Sequence, residues 1–484
     1  MRSPFSSAIS LAALAGLLAA CTVGPDYRRP PSAASDAWIE PASTDPVDSA
    51  WWNAFGDPAL TRLIERAIAE GPTLKQATAR LAEARALREA AQGSRVPQGG
   101  ANGSATLNRL SEHGQIPVAP IPGFDPSCPL LDAGFDASWE IDLWGKTTRT
   151  IQQARAKEEG ALWGRRDALV TLTAEIARNY VDFRLAQQNL AIAQDELAAA
   201  DDLASLTALR FRAGEATRIE ADQSAAQRDA LKAAREQAQA DVSAAAYRIA
   251  TLVGVAPESL VPDLLASTAP IPTPPDAIAS GIRSELLERR PDIRVAERDL
   301  AAATAGIGIA KADLYPRISL MGNIGLQAQS GSEFTDSGSL RYSAGPSFSW
   351  PIFSFGRIRA QIRAADARAD GAAAAYEAAV SKALSETESA ANRFAAGSAS
   401  FQASSAALTR QQSAFALSDL RFTRGEADKL ARDSAALTLA NVRKQESQAR
   451  AARASAAIAL YKALGGGWQG GERIAHEAPG KSAQ

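Results

Sequence analysis

Leu209-Arg210-Phe211-Arg212-Ala213-Gly214-Glu215-Ala216 is written a second time as Leu420-Arg421-Phe422-Thr423-Arg424-Gly425-Glu426-Ala427. The same offset lays Trp139-Glu140-Ile141-Asp142-Leu143-Trp144-Gly145-Lys146 over Trp350-Pro351-Ile352-Phe353-Ser354-Phe355-Gly356-Arg357. Two matches at one offset require the stretches between them to be equally long, which single rigid helices supply most simply. Upstream, Leu81-Ala82-Glu83-Ala84 through Val96-Pro97 answers to Leu300-Ala301-Ala302-Ala303 through Tyr315-Pro316. Such self-similarity marks a duplicated structural unit. Each half reads as helix, strand, strand, very long helix, Gly break, helix.

The long helices carry a period of seven. Leu162, Leu169, Ile176, Phe183, Leu190 and Leu197 share one heptad position, with Arg165, Leu172, Asn179, Ala186, Ala193 and Ala200 three residues on from each. In the second half Val380, Phe394, Phe401, Leu408, Phe415 and Phe422 keep one position, and Ala383, Ala390, Gly397 and Ser404 the other. Large residues facing small ones over many turns is coiled-coil packing. From Thr147 to Leu209, at about 1.5 Å per residue, such a helix reaches roughly 95 Å, more than one globular core needs.

The strand segments alternate. Phe135, Ala137, Trp139, Ile141 and Leu143 fall on one face, with Asp136, Ser138, Glu140 and Asp142 on the other. Ile318, Leu320, Ile324 and Leu326 alternate with Ser319, Met321, Asn323 and Gln327, and Tyr342, Ala344, Phe348, Trp350 and Ile352 alternate in the same way. Ala101 to Leu110 is a fainter fourth segment. Apolar-out, polar-in segments of about ten residues with aromatic ends fit a membrane β-barrel, although a soluble sandwich alternates too. Four strands close no barrel, and an open edge does not survive in lipid. Spanning strands must therefore be pooled with copies of the chain around an axis. Three copies make about twelve strands and an aqueous opening; two make about eight, which side chains fill.

The N-terminus reads as an export signal, with Arg2 before the apolar run Ile9 to Leu18. Leu18-Ala19-Ala20-Cys21 looks like a bacterial lipobox, in which the Cys21 thiol takes a diacylglyceryl group and its amine an acyl chain, enough hydrocarbon for a stable anchor. Residues 22 to 50, rich in Pro, Ser, Ala and Asp, read as an extended tether. Phe124-Asp125-Pro126-Ser127-Cys128-Pro129 reads as a turn carrying a free thiol.

Composition narrows the chemistry. The 484 residues are rich in alanine, with 46% hydrophobic, 22% charged and 6% aromatic residues and a net charge of −2. Near-neutrality leaves no basic footprint for nucleic acid. Two His and two Cys are too few for a Cys/His metal centre, so no metal is expected. Gly145-Lys146-Thr147 ends like a phosphate-binding loop, but the position that needs Gly is Glu140. His113 and His476 lie in loop and tail contexts with no triad around them. No catalytic residues are expected.

The sequence resembles the outer-membrane factor family, TolC-like, in its lipoprotein (NodT/OprM-type) branch. The resemblance rests on Cys21-Thr22-Val23-Gly24-Pro25-Asp26-Tyr27, on Trp51-Trp52 leading to Phe55-Gly56-Asp57-Pro58-Ala59-Leu60, and on Leu286-Leu287-Glu288-Arg289-Arg290-Pro291-Asp292. It extends through Ile307-Gly308 to Asp313-Leu314-Tyr315-Pro316 and the terminal Leu464-Gly465-Gly466-Gly467-Trp468. It implies a homotrimer with a shared barrel, a helical tunnel reaching into the periplasm and an equatorial belt. The chain would be the outer-membrane duct of a tripartite efflux pump. Its partners would be a periplasmic adaptor and an inner-membrane transporter of the resistance–nodulation–division class; no cofactor beyond the Cys21 lipid is implied. The competing readings are a type I secretion duct and a lipid-anchored coiled-coil scaffold without a barrel.

The expected organisation is a signal peptide at 1–20, a lipidated segment at 21–50 and a first repeat at 51–254, with strands at about 101–110 and 134–144 and helices at 147–209 and 216–254. A linker and equatorial region follows at 255–290. The second repeat at 291–465 has strands at about 318–328 and 341–353 and helices at 356–421 and 427–465, before a tail at 466–484. By resemblance Gly214, Glu215, Ala216, Thr217, Gly425, Glu426, Ala427 and Asp428 form the periplasmic tips where the adaptor docks. Glu220, Asp222, Asp428 and Asp433 are gate candidates: carboxylates repeated around a narrow axis repel one another and attract cations. A solvated helix face is the plainer reading of the same charges.

Overall fold

Helix dominates the chain and all its strands join one sheet, as a computed structural model shows for residues 22–30, 38–39, 45, 47–109, 111 and 127–477. The signal segment, Cys21 and His113 lie outside the described residues. In chain order the elements are α1 (Pro58–Glu70), α2 (Pro72–Gly93), β1 (Gln98–Arg109), β2 (Ser127–Ile141), α3 (Lys146–Arg212), α4 (Arg218–Val253) and α5 (Pro291–Ala312). Then come β3 (Arg317–Ala328), β4 (Leu340–Ser349), α6 (Phe355–Thr423), α7 (Lys429–Ala463) and α8 (Trp468–Glu477). Short helical turns at Val261–Ala266 and Leu286–Arg289 interrupt the connection between α4 and α5. At 67 and 69 residues, α3 and α6 each run about 100 Å. Among the described residues no helix is long and apolar enough to cross a membrane.

Two units partition the chain, residues 1–30, 82–160 and 296–376 in one and residues 31–81, 161–295 and 377–484 in the other. The first holds the sheet, ordered β1-β2-β3-β4 with every pair antiparallel. Below it Trp144 stacks on Tyr315 at 4.7 Å and donates to the Pro316 carbonyl. Trp139 Nε1 donates to the Arg95 carbonyl, and Trp350 Nε1 to the Leu314 carbonyl, at 2.9 and 3.0 Å.

Strand ends differ from the alternation at the start of β1, which begins at Gln98 rather than 101, at both ends of β2 and at the end of β4. β2 begins at Ser127 rather than near 134, so Cys128 and Pro129 are strand residues opposite Asn108 and Leu107, not a turn. Pro129 lies where β3 has already ended, since β3 stops at Ala328 opposite Leu131, and an edge setting of that kind tolerates proline. β2 ends at Ile141 because Asp142 turns to accept from the Thr147 and Thr148 amides at the start of α3. β4 stops at Ser349, where Trp350-Pro351 turns the chain into α6.

The second unit is packed around Trp51 and Trp52, both fully buried, with Trp51 stacked on Tyr461 at 5.1 Å. From α3 the heptad residues Leu169, Ile176 and Phe183 are buried in this core, as is Leu172. Asp57 caps α1 by accepting from the Ala59 and Leu60 amides, and Pro58 occupies the first turn, where its missing N–H costs nothing. The other Asp57 oxygen accepts from Tyr180, whose hydroxyl also receives the buried Arg184 guanidinium. Arg290 binds Asp292, Glu386 and the Ala463 carbonyl, tying the start of α5 to α6 and to the end of α7. Burial alone would push Asp292 up; the Arg290 hydrogen bonds and charge hold it below the ordinary carboxylate value.

Candidate functional site

The sheet has two chemically opposite faces, and neither is covered by the rest of the described chain. Register puts Ala101, Phe135, Ile324 and Tyr342 in one row, and Trp139, Leu320 and Pro346 in another, on the same face. Tyr342 is 78% exposed, Phe348 76% and Leu107 80%. A soluble fold does not leave such a face to water. The opposite face carries Asn102, Ser104, Asp132, Asp136, Asn323, Gln327, Arg341 and Ser343 and is knitted by hydrogen bonds from Asn102 to Asp136 and from Gln327 to Asp132. The outer edges of β1 and β4 have no partner strand among the described residues.

Beside the sheet in the same unit, the segment after Cys21 is held by the Val23 amide donating to the Trp144 carbonyl and by one buried side chain. Arg149 is 4% exposed and donates to the Val23 and Gly24 carbonyls and to Asp26. Tyr27 follows, donating to Glu297, and burial beside that carboxylate pushes its hydroxyl up to about 12. The motif that marked the N-terminus in sequence is therefore a strap with a defined seat, although its clamp, Arg149, sits far along the chain and carried no sequence signal.

In the second unit the two glycine turns between long helices are built alike. Gly214 and Gly425 adopt φ of +79° and +72°, the left-handed region that favours glycine. Their amides donate to Phe211 and Phe422, and the next amides, Glu215 and Glu426, close on Arg210 and Arg421 at 2.8 Å each. Ala216 and Ala427 lead into the caps. Thr217 and Glu220 form a capping box at the start of α4, and Asp428, at the equivalent place, caps α7 through the Ala431 amide. The Glu220 carboxyl is held below its usual value by the Thr217 amide and hydroxyl. Two of the four gate candidates are thus also helix caps.

The other two part company. Asp222 and Asp433 occupy the same place in the two copies of the sequence. Asp222 is exposed and pairs with Arg218 at 3.3 Å. Asp433 is 1% exposed; one oxygen meets Arg432 at 3.2 Å, and the other is buried with no hydrogen-bond partner. Burial pushes its carboxyl up, Asp202 adds to this, and Lys429 and Arg432 pull the other way. Lys429 reaches Asp202 at 3.2 Å and Arg443 reaches Asp195 at 3.0 Å, so α7 is pinned to α3 by two ion pairs.

Sequence reasoning missed Asp132 and Arg341 as well as Arg149. Asp132 lay upstream of the marked strand, although Leu131 and Ala133 already continue its alternation. Among the described residues no group of His, Cys, Asp or Glu is placed to hold a metal.

The chain resembles known proteins over most of its length. The family model described as outer membrane efflux protein matches residues 63–255 and 282–466. Outer membrane protein OprJ of Pseudomonas aeruginosa is 30% identical, with 100% of both chains covered. The pyoverdine export outer membrane protein OpmQ of the same organism is 30% identical over 95% of this chain and 97% of its own. The solved structure of the outer-membrane channel OprN superposes with a TM-score of 0.82 at 34% identity, covering 93% of this chain and 100% of that one.

Proposed function

The chain belongs to the outer membrane efflux protein family, and we propose that three copies of it close into one gated duct. It is the outer-membrane channel component of a tripartite efflux pump, a passive conduit and not an enzyme. The observation that carries the trimer is the sheet. Its exposed apolar face suits lipid, its polar face suits a wet lumen, and the open edges of β1 and β4 demand partners, because an unpaired edge is not tolerated in hydrocarbon. Three copies supply about twelve strands, enough for an aqueous opening.

Internal duplication supports the same reading. The Trp139–Arg95 and Trp350–Leu314 hydrogen bonds, and the matched turns at Gly214 and Gly425, are the same contacts made twice by the two repeats. The long helices, with their seams of small residues, pack side by side into the wall of a tunnel. Exposed Leu209, Phe211 and Ile219 beside one tip, and Leu417, Leu420 and Leu430 beside the other, give a periplasmic adaptor an apolar footing. Acylated Cys21 anchors the strap that Arg149 holds. An inner-membrane transporter of the resistance–nodulation–division class delivers the substrate.

Purified in detergent, the chain is expected to run as a heat-resistant trimer rich in both helix and sheet. In a planar bilayer it conducts weakly until Glu220, Asp222, Asp428 and Asp433 are replaced by Ala. A monomer without a β signal overturns the duct; unchanged conductance in the Ala variants removes those carboxylates from the gate.

A further inference from the structure

On the polar face of the sheet one ion pair is built differently from its surroundings. Arg341 on β4 stands opposite Gly325 on β3, which stands opposite Gly134 on β2. A Cβ on Gly325 would come within 2.5 Å of the Ala133 carbonyl oxygen, and one on Gly134 within 2.6 Å of that of Ile324. Both positions therefore stay bare, and no side chain stands between Arg341 and β2. Strands lie about 4.8 Å apart, so an extended arginine crosses this bare row and reaches the second strand over.

There its guanidinium meets Asp132 through two bonds, Nη2 to Oδ1 at 2.6 Å and Nε to Oδ2 at 2.9 Å. Nη1 donates to Asn323 Oδ1 at 3.0 Å, and Gln327 Nε2 donates to Asp132 Oδ2 at 2.9 Å. The fork-to-fork geometry holds a planar group in one orientation, which a lysine could not copy. The other charges of this face differ. Asp136 accepts from neutral Asn102, Glu140 is exposed, and Arg317 is already bound to Asp313 at 2.8 Å. Clamping Arg341 onto Asp132 cancels both charges locally and leaves the face with an anionic balance from Asp136 and Glu140.

We propose that Asp132 neutralises Arg341 on the duct wall, holding its guanidinium flat and out of the permeating stream, so that the anionic balance left by Asp136 and Glu140 gives this stretch of the duct its preference for cations. This rests on the barrel reading, which makes the polar face the lumen wall. Three copies of each charge then ring one aqueous passage, where fixed charges control the local concentration of counter-ions.

The test is the reversal potential of the full-length trimer in a planar bilayer under a potassium chloride gradient. The unaltered channel prefers cations. Asp132→Asn removes the charge that holds Arg341, and the potassium-to-chloride permeability ratio falls, on the order of twofold. Arg341→Gln leaves Asp132 unpaired, and the ratio rises by a similar factor. Combining the two substitutions removes one charge of each sign and returns the ratio to near its starting value. Opposite shifts that cancel in the double variant support the proposal. Conducting trimers whose ratio moves in neither single variant overturn it and place selectivity elsewhere along the path. Should Asp132→Asn fail to assemble, Arg341→Gln and the double variant still decide the sign. Failure of the barrel reading looks different: the unaltered chain would then show neither a heat-resistant trimer nor conductance.

Discussion

Asp57 does two jobs with one carboxylate, capping α1 and accepting from Tyr180, which in turn receives the guanidinium of Arg184, a residue 1% exposed. Asp57→Ala uncaps the helix and leaves the Tyr180 hydroxyl without its acceptor, at a cost of about 1–3 kcal/mol; Asp57→Asn keeps the cap and costs less. Thermal melting in detergent orders the two variants. The motif around Asp57 was visible in sequence, but Tyr180 and Arg184 carried no signal, since only the folded chain brings them to it. Asp433 shows the same limit more sharply, because Asp222 holds the equivalent place in the sequence and lies exposed to water. A carboxyl whose folded pKa is raised binds protons more readily in the folded chain, so its ionised form is a cost above that pKa, relieved as pH falls through it. Asp433→Asn is therefore expected to raise the melting temperature at pH 7.5, with the advantage shrinking as pH is lowered toward 5. An equal gain at both pH values would mean that the carboxyl does not titrate there.

At the scale of elements, periodicity did most of the work. A seven-residue rhythm continued through the long segments has one solution, an extended helix with a seam, and α3 and α6 follow from it. Alternation places β3 almost to the residue, whereas it starts β2 too late because Cys128-Pro129 reads locally as a turn, a preference that pairing with β1 overrides. The turns at Gly214 and Gly425 were legible because glycine is the residue that reaches positive φ without steric cost. Gly214→Ala and Gly425→Ala should each cost about 1–2 kcal/mol, the penalty of a left-handed residue with a Cβ. Limited proteolysis would cut these variants faster between residues 211 and 219 or 422 and 430; unchanged cleavage would show that the turns adapt. Thr217→Ala, which removes the capping box, should loosen the first tip by about 1 kcal/mol in the same assay.

For the whole molecule, the sheet edges carry the sharpest prediction. In a Cys128→Ser background, Ser104→Cys on β1 is combined in turn with Ser343→Cys or Ser347→Cys on β4, all on the polar face. At least one pair should form a disulfide between chains on mild oxidation and run as a trimer without reductant, because paired strands bring Cβ atoms within about 5 Å. Cross-links absent from every combination would show that β1 and β4 do not meet across copies. By itself the sequence determined the helical and strand periods and the matched glycine turns, because each of these is a local rule of spacing or residue type. Only the tertiary structure decided which carboxylate is buried, which arginine seats the strap, and that Arg341 crosses two glycines to reach Asp132. Those facts depend on strand register and helix packing between residues far apart in the chain, where burial and partner geometry, not residue type, set the chemistry.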